Sequence, residues 1–113
     1  MDAPPAVKPG AVVLVRFPFS DLSASKLRPA VVLAEAGRGD RVLVQVTSNP
    51  YADPRAVELT ESSFAHGSLE RTSYARPGKL FTASESLVVR SVGDLTPDAA
   101  ESVRAAVIRL IRG

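Results

Sequence analysis

Short apolar runs separated by turn residues dominate most of the chain. A valine-rich run predicts a buried strand over about residues 11 to 17, and Pro18 ends it because proline cannot donate to a sheet ladder. The runs "RPAVVLAE" and "RVLVQVTS" predict a second and a third strand. The "GRGD" between them predicts a tight hairpin turn, with glycines where a positive φ is needed.

The second half of the chain is less regular. The loop "NPYADPR" contains Asn-Pro and Asp-Pro, which favour turns, and the short run "AVEL" after it predicts a strand. Residues 60 to 76 are polar and predict no definite element. "KLFT" and "SLVVRSV" then predict two further strands around a short polar connection.

The C-terminal segment "LTPDAAESVRAAVIRLIRG" changes to a helical period. Thr96 can cap a helix, Pro97 suits the first helical position, and Asp98 lies where the helix dipole favours an anion. The positions predicted to form the apolar face are Ala100, Val103, Val107, Leu110 and Ile111. Those predicted to face solvent are Arg104, Arg109 and Arg112.

Five or more short strands followed by one helix predict a mainly β domain. A small barrel is the favoured arrangement, because closing a sheet removes its exposed edges. A chain of 113 residues is long enough for one core and too short for two. We therefore expect a flexible, Pro-rich lead over residues 1 to 9 and a single domain over residues 10 to 113.

Composition excludes several classes of site. The chain has no Cys and one His, so neither a disulfide framework nor a thiolate or multi-histidine metal site is possible. The N-terminal "MDAPPAVKPG" lacks the apolar segment of a signal peptide, and no apolar run approaches the length of a membrane span. We therefore expect a cytoplasmic protein that does not enter a membrane. The net charge of +2 is compatible with a nucleic-acid partner without requiring one.

Polar groups follow the ends of the predicted strands, where loops commonly build sites. These groups are Arg28, Thr47, Ser48, Asn49, Arg76, Lys79 and Thr82. Arg28 precedes Pro29, which favours extended backbone at Arg28 and so restricts the direction of its side chain. Taken alone, Arg28 is better explained as a surface arginine, and Thr47 as a β-branched strand end before turn formers.

The order of these pieces resembles a known family. The segment "GAVVLVRFPFSDLSASKLRPAVVL", followed by "VQVTSN", resembles the MazF/PemK family of toxin endoribonucleases. The later "TSYARPGKLFTASESLVVRSVGDLT" resembles the PemK-like branch of that family. The resemblance covers about residues 9 to 112. Its specificity lies in the joint order of strand, serine loop, Arg-Pro and second strand.

The resemblance implies a small SH3-like barrel with a C-terminal helix, assembled as a homodimer. It implies the toxin component of a type II toxin–antitoxin system, held inactive by a cognate antitoxin whose C-terminal segment occupies the RNA groove. The implied activity is cleavage of single-stranded RNA without a metal ion or other cofactor. Attack by the substrate's 2′-hydroxyl would leave a 2′,3′-cyclic phosphate and a 5′-hydroxyl.

The family's catalytic positions fall on two residues of this chain. The arginine of the Arg-Pro motif falls on Arg28, and the threonine after the third strand falls on Thr47. Arg28 would clamp phosphate oxygens and Thr47 would donate a hydrogen bond to the same phosphate. The second arginine of the PemK-like branch falls on Arg76. The residues expected to bind RNA are Ser25, Lys26, Ser48, Asn49, Arg76 and Lys79.

Three positions depart from the family pattern. Gly10 is followed by Ala11, where the family usually has Gly-Asp. Gly78 stands where PemK-like proteins commonly carry an Asp, so the identity of the general acid and of the general base is not assigned by the resemblance. The loop before Arg28 is shorter than in many members. The family's loop serine is therefore one of Ser20, Ser23 and Ser25, of which Ser25 is nearest to Arg28 in sequence.

Two other functions stay open at the level of sequence. A relative that lacks proton-transfer groups, as Gly78 suggests, would bind RNA or an antitoxin without cutting. A gyrase-targeting toxin like CcdB is a further alternative. The pairing of Arg28 with Thr47 favours the nuclease, because a toxin that acts on a protein has no need of a phosphate clamp.

Overall fold

The structure is a computed structural model that describes residues 7 to 18 and 25 to 113. The described elements, in chain order, are β1 (Ala11–Pro18), β2 (Ser25–Gly37), β3 (Asp40–Thr47), β4 (Val57–Leu59), β5 (Phe64–Gly67), β6 (Ser73–Ser84), β7 (Val88–Leu95) and α1 (Pro97–Arg112). Short 3₁₀ turns lie at Glu61–Ser63 and Glu85–Leu87. Among the described residues, no helix is long and apolar enough to cross a bilayer.

The strands form one antiparallel sheet in the order β4-β6-β3-β2-β1-β7-β5, curled into a half-barrel with α1 packed against it. The predicted fold class, a small SH3-like barrel with a C-terminal helix, is thereby confirmed. The two end strands of the order, β4 and β5, are three and four residues long. Such short end strands limit the exposed edge that an open sheet presents to other chains.

Two hydrophobic clusters lie on opposite faces of the sheet. The first cluster contains Val12, Val31 and Val44 of the sheet together with Val103 and Val107 of α1. The second cluster contains Ala11, Val13, Val15, Ala30, Val32, Leu43, Ala83 and Val88. Successive side chains of a strand point to opposite faces, so a strand buried on both faces must be apolar at every position. The unbroken valine runs follow from this double burial.

The β2–β3 hairpin agrees with its prediction. Gly37, Arg38 and Gly39 all have positive φ, so the turn uses the backbone freedom of its two glycines. β1 ends at Pro18 as predicted. The helix also agrees, since Thr96 Oγ1 accepts a hydrogen bond from the Ala99 amide at 3.1 Å.

Two parts of the sequence prediction differ from the structure. "KLFT" is only the second half of β6, whose first half includes Arg76 and a buried Pro77. A register shift opposite Val44 and Val46 accommodates this proline, which a regular ladder would exclude. Ile111 is 72% exposed rather than part of the apolar face, because the buried residues of α1 end at Val107.

A close backbone contact fixes β5 against β7. Gly67 pairs with Gly93, and the ring of Phe64 lies over Gly93. A Cβ at Gly93 would lie 2.5 Å from the His66 carbonyl oxygen and 2.9 Å from Phe64 Cδ2. This close approach requires glycine, because moving the paired strand or the packed Phe64 ring would cost stability.

We expect Gly93→Ala to lower the free energy of unfolding by about 1–3 kcal/mol through overpacking at this contact. Gly78→Ala is the matched control, because a Cβ there would meet only Leu110 Cδ2 at 4.0 Å. Urea unfolding followed by circular dichroism compares the two variants with the wild type. Equal stability of the two variants would contradict the assigned contact.

Candidate functional site

A shallow cavity of about 230 Å³ lies where β2 begins and β3 ends. Its walls are formed by Leu27, Arg28, Pro29, Val46, Thr47, Ser48, Leu69, Arg71 and Ser73. Three of these residues, Arg28, Thr47 and Ser48, are site residues predicted from the sequence. The cavity therefore brings together the Arg-Pro motif and the end of the third strand.

The pairing of β2 with β3 explains why Arg28 and Thr47 meet. Ala30 lies opposite Gln45 in the antiparallel register. Arg28 is two residues before Ala30, and Thr47 is two residues after Gln45, so both continue the same row across the two strands. Because side chains alternate with a period of two, Arg28 and Thr47 lie on the same face. On its other side, Arg28 lies opposite Val15 of β1.

Arg71 is a second arginine in the cavity wall. The buried Ser73 hydroxyl donates to the Arg71 carbonyl oxygen at 3.2 Å and so restrains the backbone at that position. Sequence reasoning missed Arg71, because it lies in the polar stretch that predicted no element. Two arginines beside serine and threonine hydroxyls form a surface suited to an anion such as a phosphate.

The hydroxyl of Thr47 also begins the loop that follows β3. Thr47 Oγ1 accepts a hydrogen bond from the Asn49 amide at 3.1 Å, and Asn49 Oδ1 accepts one from the Tyr51 amide at 2.9 Å. Such side-chain-to-backbone bonds are typical of Ser, Thr and Asn in turns. A hydroxyl that accepts one bond still has its own hydrogen to donate, so this contact leaves Thr47 able to bind a ligand oxygen.

The same loop contains two consecutive residues with left-handed backbone. Tyr51 has φ 53° and Ala52 has φ 55°, although neither is glycine. This region is sparsely populated by residues with a Cβ, and such conformations tend to occur at functional sites. The surrounding contacts of the loop must therefore hold this conformation in place.

Arg76 provides these contacts. Its Nε donates to Asp53 Oδ2 at 3.2 Å, and its guanidinium carbon lies 5.2 Å from the centre of the Tyr51 ring. We call Tyr51, Asp53 and Arg76 the Tyr51 cluster. Arg76 is absent from the residues that line the cavity of Arg28, so the two arginines named by the family resemblance occupy different places. The expected role of Arg76 in RNA binding stays a prediction.

The remaining predicted site residues are not among the described residues that line the cavity. Lys26 is exposed on β2, and Lys79 is exposed on β6. Ser25 is the first residue of β2, but its side chain is not among those described. Ser20 and Ser23 lie outside the described residues. Gly78 is exposed beside Leu110 and does not line the cavity.

The carboxylate of Asp53 has a lowered pKa. The main cause is the hydrogen bond that its Oδ1 accepts from the Arg55 amide at 2.9 Å, and the Arg76 guanidinium lowers the pKa further. Burial opposes both effects. In the described part of the chain, no three His, Asp or Glu side chains group in a way that could hold a metal ion.

Comparison with known proteins gives a consistent result. A family model for PemK-like, MazF-like toxins of type II toxin–antitoxin systems matches residues 8–111. A MazE–MazF structure from Deinococcus radiodurans is similar, with a TM-score of 0.75 and 19% identity over 98% of each chain. No curated protein matches the chain.

Two mycobacterial structures are also similar. One is an endoribonuclease in complex with its cognate antitoxin, with a TM-score of 0.69 and 19% identity, covering 99% of this chain and 96% of that chain. The other is the Mycobacterium tuberculosis toxin MazF-mt6, with a TM-score of 0.70 and 12% identity, covering 90% of this chain and 96% of that chain. At these identities the likeness shows a common fold.

The ion pair of the Tyr51 cluster predicts a pH dependence of stability. Because the pKa of Asp53 is below its ordinary value of 3.8, its contacts stabilise the fold at neutral pH and are lost as the pH falls through the lowered pKa. Asp53→Asn keeps an oxygen for the Arg55 amide but removes the charge. We expect it to be less stable than the wild type at pH 7 by up to about 1 kcal/mol.

This difference should shrink as the pH is lowered from about 7 to about 3, because protonation removes the same charge from the wild type. Urea unfolding at a series of pH values measures it. Glu58→Gln, which removes an exposed carboxylate on β4, serves as the control. A stability difference for Asp53→Asn that does not change with pH would contradict the assignment.

Proposed function

Because the chain belongs to the PemK-like, MazF-like toxins of type II toxin–antitoxin systems, we propose that it is an endoribonuclease that cuts single-stranded RNA at the cavity of Arg28 and Thr47. The observation that carries the proposal is this cavity, which two arginines and three hydroxyl-bearing residues line together. Planar guanidinium groups bind phosphate oxygens in pairs, and hydroxyls add further donors.

The proposed reaction uses the RNA's own 2′-hydroxyl as the nucleophile. A bond forms between the 2′-oxygen and phosphorus, and the bond from phosphorus to the 5′-oxygen breaks. The 2′-hydroxyl loses its proton, and the leaving 5′-oxygen gains one. Charge accumulates on the phosphate in the transition state, where donors that are already positioned contribute most. Arg28 holds this charge, and Thr47 donates a hydrogen bond to the same phosphate.

Proton transfer in this site does not rest on arginine, which stays protonated in proteins. No carboxylate or imidazole is among the described residues that line the cavity. A positioned general acid or base typically contributes a factor of about 10²–10⁴ to the rate. The described residues of the cavity therefore contribute by stabilising charge and by holding the phosphate in line.

The second candidate function is binding of RNA without cleavage. Two observations favour it: Gly78 stands where PemK-like proteins commonly carry an Asp, and the described residues of the cavity wall include no carboxylate. A gyrase-targeting activity is the weaker alternative, because it gives no role to the arginines of the cavity. Cleavage assays separate the first two functions, since both predict binding of single-stranded RNA.

We propose two protein partners as well. One is a cognate antitoxin, since similar structures are described as a MazE–MazF complex and as an endoribonuclease with its antitoxin. The other is a second copy of this chain, as the family resemblance implies. In this proposal the antitoxin blocks access of RNA to the cavity.

Replacement of Arg28 tests the assignment of the cavity. We expect Arg28→Ala to lower the single-turnover rate of RNA cleavage by about 10²–10³, the usual effect of losing one positioned donor. Arg38→Ala is the matched control, because it removes the same charge in the turn at the far end of the β2–β3 hairpin. The assay contains EDTA, and the products are examined for a cyclic phosphate.

Wild-type protein, free of antitoxin, that binds a varied RNA pool and leaves it intact supports the binding module instead. Wild-type protein that neither binds nor cuts RNA would contradict both candidate functions. Cleavage by Arg28→Ala at the wild-type rate would contradict the assignment of the reaction to this cavity.

Arg71 provides an independent test through salt. If Arg71 contacts an RNA phosphate, Arg71→Ala should reduce the dependence of log affinity on log salt by roughly 0.7 for a single strand. The measurement is binding of a non-cleavable RNA analogue at several salt concentrations, with Arg38→Ala as the control. An unchanged slope of log affinity against log salt for Arg71→Ala would contradict a contact between Arg71 and an RNA phosphate.

A further inference from the structure

Tyr51 is an unusual surface residue of this molecule. Its side chain is 63% exposed, and it is the one aromatic residue among the exposed large apolar residues in the described part of the chain. Exposed aromatic rings lose hydrophobic stabilisation that burial would provide. An exposed ring that is also held in one position is a candidate for binding a ligand.

The position of the Tyr51 ring is set from three sides. Its backbone amide donates a hydrogen bond to Asn49 Oδ1, and its backbone adopts a left-handed φ of 53°. The guanidinium of Arg76 lies over the ring, and Asp53 holds that guanidinium in place. Each contact removes freedom that the ring would otherwise lose on binding a ligand, so the ring is preorganised.

The Tyr51 cluster is close to the proposed cut site. Two successive hydrogen bonds link Thr47 to Asn49 and Asn49 to Tyr51. Four residues span at most about 14 Å even when fully extended. A strand of RNA held by its phosphate at Thr47 therefore has its neighbouring nucleotides within reach of the Tyr51 ring.

We propose that Tyr51 stacks on a nucleobase next to the cut phosphate, and that Arg76 is the positioning residue that holds the ring for it. This inference rests on the proposed RNA-cutting function and adds a determinant of sequence preference to it. Single-stranded RNA is recognised largely through unstacked bases that lie on aromatic side chains or arginine planes. The Tyr51 cluster offers both groups in one preformed arrangement.

Charge distinguishes this contact from a phosphate contact. The guanidinium of Arg76 is paired with the Asp53 carboxylate, whose side chain is only 15% exposed. A neutralised pair attracts the RNA backbone weakly, so the contribution of the Tyr51 cluster comes from the base. Replacing Tyr51 should weaken binding while leaving its salt dependence unchanged, in contrast to Arg71→Ala.

The test compares Tyr51→Leu and Tyr51→Phe in binding a fluorescently labelled RNA analogue that lacks the 2′-hydroxyl at the cut position. We expect Tyr51→Leu to bind roughly 5- to 100-fold more weakly, the effect of losing one stacked base, with an unchanged salt slope. Tyr51→Phe keeps the ring and should restore the affinity. Tyr51→Leu should also reduce the differences in cleavage rate among RNAs that vary at one base beside the cut.

A fluorescence measurement does not depend on that variant folding. The chain has no Trp and two Tyr, so Tyr74→Phe leaves Tyr51 as the one tyrosine emitter. Stacking on a base should quench this emission when RNA binds. Emission that is unchanged at saturating RNA overturns the inference.

The outcomes separate this inference from the proposed function. Wild-type protein that neither binds nor cuts RNA removes both. Wild-type protein that cuts RNA, with Tyr51→Leu binding and selecting RNA equally well, overturns the inference alone. Loss of antitoxin binding by Tyr51→Leu with unchanged RNA binding also overturns it, because Tyr51 then belongs to a protein interface.

Discussion

The antiparallel pairing of β2 with β3 is the constraint on which the candidate site depends. Its register places Ala30 opposite Gln45, and from this one pair the positions of Arg28 and Thr47 follow. A slip by one residue would turn every side chain of a strand to the other face. The tight turn at Gly37, Arg38 and Gly39 fixes the register of this hairpin, and close packing on both faces of the central strands maintains it. The turn and the core that stabilise the fold therefore also fix the geometry of the cavity.

The loop after β3 extends this rigid geometry into a region that has no core of its own. Thr47, Asn49 and Asp53 each accept a hydrogen bond from an amide two residues further along the chain. These short bonds replace the sheet ladder where it ends. Arg76 then ties the loop to β6 through Asp53. The two named arginines thus have different surroundings: Arg28 lines a cavity, whereas Arg76 supports a loop.

Much of the fold was predictable, and the site was predictable in part. Arg28, Thr47 and Ser48 were identified from the Arg-Pro motif and the strand end, and all three line one cavity. Arg71 was not, because it precedes β6 in the polar stretch over residues 60 to 76, which has no readable hydrophobic period. Tyr51 was not singled out either, since its exposure and its contact with Arg76 depend on residues far apart in sequence.

By itself the sequence determined the strand runs, the hairpin turn and the capped helix, because these depend on neighbours within a few residues. It also determined, through the order of its motifs, the family to which the chain belongs. Only the tertiary structure decided that Arg71 joins Arg28 while Arg76 turns to Asp53 and Tyr51. The physical reason is that sheet register and a register shift in β6 bring distant side chains together, and no local pattern encodes such contacts.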